Sequence, residues 1–200
     1  MKKLIINKCM ELVTTYNKDL SQRDIDKIKY GLEGLYLTLT KLIFIIIISI
    51  ILGIWKETLL LMLIFNVIRL TGFGVHAKRS IDCLISSTLF FILFPIICIK
   101  LTIPLIVKVI LFIPLTVLIG IFAPADTEKR PLINKKKRKI YKILSIIISI
   151  IYMTIAIVIK DNTLSNCFIF AIVIQIIIML PITYKIFGVS YNNYKTYEVK

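Results

Sequence analysis

The sequence predicts an all-α integral membrane protein with about six transmembrane helices, an N-terminal amphipathic helix and both termini in the cytoplasm. Three observations predict it. Hydrophobic residues make up 58% of the 200 residues, and the mean hydropathy is +0.90. The apolar residues fall in six runs, approximately 40–55, 58–70, 81–99, 103–123, 140–159 and 163–184. Runs this long and unbroken do not suit a soluble core. Positive charge is also partitioned between the connections. Of the 26 lysines and arginines, 22 lie in residues 1–41, 69–82, 124–142 and 185–200. Only Lys56, Lys100 and Lys160 lie in the intervening turns, and Lys108 falls inside a run. Basic connections stay in the cytoplasm. Six spans with both termini inside put every rich connection on one side.

The elements follow in chain order. Residues 1–35 carry scattered charges and no apolar block of signal-peptide length, so they are not read as a cleaved leader. Leu4, Ile5, Cys9, Leu12 and Val13 recur at helical spacing, which predicts an amphipathic helix on the membrane surface. The second run, 58–70, is short for a span of about 20 residues. It is expected to tilt, to lean on its neighbours or to end at the glycine-rich turn. Pro95, Pro104, Pro114 and Pro181 are expected to kink or end helices, which a bundle tolerates. The whole chain, 1–200, reads as one membrane-embedded domain, with little room for a separate soluble one.

Composition also narrows function. Nucleic-acid binding is not expected, because topology accounts for the net charge of +15. Cys9, Cys83, Cys98 and Cys167 show no CxxC spacing and no partner histidines, so no metal site is expected, and no cofactor is called for. Cys98 and Cys167 read as small packing residues. Disulfides are not expected, because the predicted depths of the cysteines do not pair well.

The chemistry concentrates in residues 69–83, RLTGFGVHAKRSIDC, a polar island between apolar runs. It holds the only histidine of the chain, His76, seven residues before Cys83. Ser80 is expected to cap the third span, with Cys83 in its first turn. There the helix dipole, Lys78 and Arg79 favour thiolate, while Asp82 opposes it modestly. Seven residues of straight helix separate two side chains by about 10 Å, too far for proton transfer. The chain must therefore bend between His76 and Ser80, and Gly72 and Gly74 supply pliable backbone just upstream. The plainer reading is an interfacial histidine and a packing cysteine, and the local pattern alone does not separate the two.

The same residues carry a resemblance. Arg69, Gly74, His76, Ala77 and Cys83 match the pattern of the accessory gene regulator B (AgrB) family. Downstream, FAPADTEKRPLINKKKRKIYK (122–142) resembles that family's Ala-Pro-Ala element and following basic stretch, through Ala123, Pro124, Ala125, Pro131 and the Lys/Arg cluster. Length and hydrophobic layout agree over nearly the whole chain. The resemblance implies a membrane cysteine endopeptidase of Gram-positive quorum sensing, multi-pass in the cell membrane, with its active site at the cytoplasmic face. Cys83 would be the nucleophile and His76 the general base, with Arg69 and Gly74 supporting the site. The substrate would be an AgrD-like precursor peptide with an acidic tail. Cleavage through a Cys83 thioester would lead to a cyclic thiolactone or lactone.

Lys135, Lys136, Lys137, Arg138 and Lys139 are candidates to draw in that tail. The plainer reading of this basic run is a topology determinant that contacts anionic lipids of the bilayer. A homodimer is left open. The rival reading of the chain is a small membrane transporter or export component, because Asn66, Lys108 and Gln175 lie in apolar runs. Lys108 is near a span end, where it can snorkel. Asn66 and Gln175 are neutral and suit helix–helix contacts.

Overall fold

The computed structural model describes residues 2–17, 20–77, 79–127 and 131–198. Among them are nine helices, with no strand beyond single bridging residues. They run α1 (Lys2–Tyr16), α2 (Gln22–Ile51), α3 (Trp55–Gly72), α4 (Ser80–Lys100), α5 (Leu105–Phe122), α6 (Lys135–Val158), α7 (Asn162–Met179), α8 (Pro181–Ile186) and α9 (Lys195–Glu198). Two compact units are distinguished, residues 1–47 and 48–200.

In the first unit α1 forms where the apolar spacing predicts it, and Leu4, Ile5 and Leu12 are exposed. The run predicted at 40–55 is the apolar end of a helix that begins much earlier, at Gln22. Ser21 opens that helix, with its hydroxyl donating to the Asp24 carboxylate at 2.6 Å.

The second unit is a helix bundle built around α7. Among the described residues five helices, α2, α4, α5, α6 and α7, are long and apolar enough to cross a membrane. The predicted second span is α3, whose 18 residues include Lys56, Glu57 and Arg69. α7 buries eleven of its residues, including Gln175 and Asn166. It packs against α3, α4, α5 and α6.

Inside a bilayer no water satisfies polar groups, so they bond across helices. Asn166 Nδ2 donates to the carbonyls of Cys98 (3.0 Å) and Leu101 (2.6 Å) at the end of α4. Ser165 Oγ donates to Ala156 of α6. Tyr152 Oη donates to Ile64 of α3 at 2.8 Å. Ser145, Ser149, Tyr152, Met153 and Ala156 line the buried stripe of α6 at the spacing of one helix face. Small residues there let the backbones approach closely.

Several boundaries differ from those expected. The basic stretch at 135–139 is already helical, because Asn134 caps α6 by accepting from the amides of Lys136 (2.9 Å) and Lys137 (3.1 Å). The predicted run at 163–184 is broken: α7 stops at Met179, Leu180 is extended, and Pro181 starts α8. Pro104 is the residue before α5, whereas Pro95 and Pro114 sit inside helices. Cys98 and Cys167 are both fully buried. Their depths do match, contrary to expectation, because the end of α4 meets the start of α7. Neither is in a disulfide. Lys108 is in the first turn of α5, as an end residue should be, yet it is only 5% exposed. Protein therefore covers this side chain. Asn66, expected at a helix contact, is exposed on α3.

Candidate functional site

One end of the bundle gathers the end of α3, the start of α4, the end of α5, the start of α6 and the end of α7. The polar island lies here. α3 ends at Gly72, and Phe73 (φ 56°) and Gly74 (φ 121°) both turn left-handed. That region is costly for a residue with a Cβ. Three sets of contacts hold it.

Arg69 supplies the first. Its guanidinium donates from Nη1 to the Phe73 carbonyl and from Nη2 to the carbonyls of Gly74 (3.3 Å) and Val75 (2.9 Å). A planar fork with fixed donors suits three successive carbonyls.

The second set is backbone. Gly74 donates to Ala125 at 2.8 Å, and Ala125 donates back to Gly72 at 3.0 Å. Val75 donates to Ile178 at 2.9 Å. The Ile178 carbonyl belongs to the last turn of α7 and lacks the onward helical donor it would otherwise meet.

Gln175 is the third: its Nε2 donates to the Phe73 carbonyl at 2.9 Å. The glycines follow from these contacts. A Cβ on Gly72 would collide with Gln175 Nε2. One on Gly74 would collide with Arg69 Nη1 and sit 2.9 Å from the Ile178 oxygen. Arg69 and Gly74, picked from the sequence, are thus directly coupled.

His76 follows Val75 in non-helical chain and is exposed. Cys83 is half-buried in the first turn of α4. The chain between them leaves helical geometry, as the proton-transfer argument requires. Lys78 lies outside the described residues. The cap is not the expected one. Ser80 is the first helical residue, and Arg79, extended at φ −95° and ψ 137°, takes the cap position with no side-chain cap bond. Cys83 N–H makes the first helical bond, to Arg79 at 3.3 Å. The amides of residues 80–82 therefore precede the helical ladder and point at the start of α4, a positive end for the thiol.

The basic candidates sit at the start of α6. Lys135, Lys136, Lys137 and Lys139 are exposed. Lysines at a helix N-terminus oppose the dipole, so the cluster costs the helix locally and concentrates positive potential. Arg138 differs: its guanidinium carbon lies 3.2 Å from the ring centre of Tyr194, in the C-terminal segment. Further along α6, Tyr141 packs edge-on against Phe73 (5.0 Å), and Ser145 Oγ donates to Thr71 Oγ1 at 3.0 Å. Tyr141 is six residues past Lys135, about 9 Å of helix rise. The cluster is thus fixed relative to the turn that leads to His76.

Sequence reasoning missed three contributors. In the sequence Gln175 reads as a pathway residue of the rival reading or as a helix–helix contact, with no tie to the turn. Tyr184 donates its hydroxyl to the carbonyls of Ala125 (3.0 Å) and Asp126 (2.9 Å). Burial raises the Tyr184 phenol above its ordinary range, and Tyr191 beside it shifts the same way for the same first cause. Tyr184 therefore stays protonated and remains a donor. Asp126 is 2% exposed and accepts from backbone amides of Leu132, Asn193 and Tyr194. Among the described residues no cluster of three or more His, Cys, Asp or Glu suits a metal ion.

Comparison with known proteins agrees with the motif. The family described as Accessory gene regulator B matches residues 6–179. A putative AgrB-like protein of Clostridium acetobutylicum is 32% identical over 98% of this chain and 96% of its own length. A putative AgrB-like protein of Listeria monocytogenes is 32% identical over 86% of this chain and 84% of its own. Accessory gene regulator protein B of Staphylococcus aureus is 32% identical over 78% of this chain and 82% of its own. No solved structure matches. A match over most of the length, carrying the Arg-Gly-His-Cys pattern on a clamped turn between helices, places this chain in the accessory gene regulator B family of membrane proteins.

Proposed function

We propose that the chain is a membrane cysteine endopeptidase that cuts an AgrD-like quorum-sensing precursor on the C-terminal side of its signal segment. The observation that carries this reading is the clamp on residues 73–75. Arg69, Ala125, Ile178 and Gln175 all fix the backbone that immediately precedes the one histidine. Preorganised backbone of that kind holds a base in place. An interfacial histidine has no need of it.

The chemistry then runs on this chain's own groups. His76 takes the proton of the Cys83 thiol, and the thiolate attacks the scissile carbonyl. His76 returns the proton to the leaving amine, the C–N bond breaks, and the acyl group remains on Cys83 as a thioester. A cysteine thiol within the peptide attacks that thioester and closes a thiolactone ring. The Cys83 thiolate leaves and recovers its proton. A serine in place of the internal cysteine gives a lactone by the same exchange.

By the charge partition, this end of the bundle faces the cytoplasm. The lysines at the start of α6 then meet an acidic precursor tail there. Co-expression of the precursor with Cys83→Ala and with His76→Ala tests the reading. Both should abolish cleavage with the protein still in the membrane, whereas Cys9→Ala, Cys98→Ala and Cys167→Ala should keep it. Normal processing by Cys83→Ala would establish the rival, a transport component without protease activity.

A further inference from the structure

Asp126 is a buried carboxylate that the proposed chemistry does not use. Its Oδ1 accepts from the Asn193 amide at 3.1 Å. Its Oδ2 accepts from the amides of Tyr194 (2.8 Å) and Leu132 (3.3 Å). Two consecutive amides gripping both oxygens form a nest for an anion, and bonds to a charged acceptor are the stronger kind. The same segment is held elsewhere. Tyr191 packs edge-on against Tyr184 (5.0 Å), Asn193 is 5% exposed, and Tyr194 lies under Arg138.

On its other side, Asp126 follows Ala125, and both carbonyls accept from Tyr184 Oη. Ala125 in turn exchanges bonds with Gly72 and Gly74. A continuous bonded path therefore runs from Tyr194 through Asp126 and Ala125 to Gly74, two residues before His76. Burying a carboxylate is a costly way to add stability. What it supplies here is a fixed geometry.

We infer that the C-terminal segment 189–197 is a latch for the catalytic turn, and that Asp126 is the positioning residue through which it acts. The latch holds Ala125, Ala125 holds the Gly72–Gly74 turn, and the turn sets the direction in which the chain delivers His76. The inference rests on the reading of His76 as the base.

The test uses the full-length protein in nanodiscs. Asp126→Ala, Tyr194→Pro and the double variant are compared with the parent. Tyr194→Pro deletes one amide donor to Oδ2 and leaves Asp126 intact. The readouts are kcat and KM for precursor cleavage, and hydrogen exchange at the amides of Gly74 and Val75. Misplacing a catalytic group by about 1 Å costs on the order of 100-fold. The expected result is therefore a 10- to 100-fold fall in kcat with KM within about twofold. Exchange at Gly74 and Val75 should quicken while the centre of α7 stays protected. Asp126→Asn, which keeps the shape and one acceptor, should retain more kcat than Asp126→Ala.

The double variant should be no slower than the slower single, because both break one path. Unchanged exchange at Gly74 and Val75 would overturn the latch. So would faster exchange with unaltered kcat, or losses that multiply in the double variant. The exchange readout decides the latch independently of the chemistry, whereas only normal cleavage by Cys83→Ala removes the base–nucleophile reading.

Discussion

The side-chain amide of Gln175 donates to the backbone carbonyl of Phe73 at 2.9 Å, joining residues 102 positions apart in the chain. It also fills the space above Gly72, so the two positions are coupled. Gly72→Ala should destabilise the protein by about 1–3 kcal/mol, the usual cost of overpacking. In a Gln175→Ala background the new methyl has room, and the same substitution should cost clearly less. Thermal unfolding in detergent of both singles and the double measures the difference. Equal costs in the two backgrounds would contradict the contact.

Arg69→Lys should not be conservative. An ammonium is a point donor and cannot serve three successive carbonyls in the plane that the guanidinium does. Each carbonyl left unsatisfied costs about 1–3 kcal/mol. Gly74→Ala places a Cβ at φ 121° against Arg69 and the Ile178 oxygen, and should be at least as damaging. Both variants should lower the yield of folded, monodisperse protein on size exclusion and abolish cleavage. Wild-type behaviour of Arg69→Lys would show that charge alone is required.

Single cysteines at Ile133 and Asn134, both exposed, should react with an impermeant thiol reagent only from the cytoplasmic side. A cysteine at Asp161, exposed at the opposite end of α6 and α7, should react only from outside. The basis is the split of 22 basic residues against three. Labelling of position 134 from outside would refute the six-span arrangement.

Replacing Lys135, Lys136 and Lys137 with glutamine should weaken binding of an acidic-tailed precursor, and the loss should shrink as salt rises. Exposed charges act over a Debye length of about 10 Å at 0.1 M salt. Precursor affinity in nanodiscs at two salt concentrations checks this, after orientation is confirmed unchanged. Affinity untouched by the substitutions at low salt would assign the lysines to topology alone. Arg138, already stacked on Tyr194, should contribute less than the exposed lysines.

The parts of this fold that were legible in the sequence are those that local chemistry writes down. Apolar length locates α4 and α5 to within a few residues, and the Arg69–Gly74–His76 spacing finds the clamped turn. The hidden parts depend on distant partners. Gln175 looks like any polar residue in an apolar run until Phe73 is beside it. Asp126 and Tyr194 are 68 residues apart, and no periodicity joins them. Ser80 reads as a cap because of its side chain, yet Arg79 holds the position, since the path of the chain out of the preceding turn decides where the helix begins. Cys98 and Cys167 read only as packing residues when α4 and α7 are considered apart. They meet once Asn166 ties the two helix ends together.

The break between α7 and α8 has a consequence at the far side of the sequence. In an uninterrupted helix the Ile178 oxygen would be taken by the amide four residues on. Leu180 turns extended between α7 and α8, which carries the Ile182 amide away, so that oxygen is released and Val75 takes it. Helix propagation and loop anchoring thus compete for a single acceptor, and the break at Leu180 decides the contest in favour of the loop.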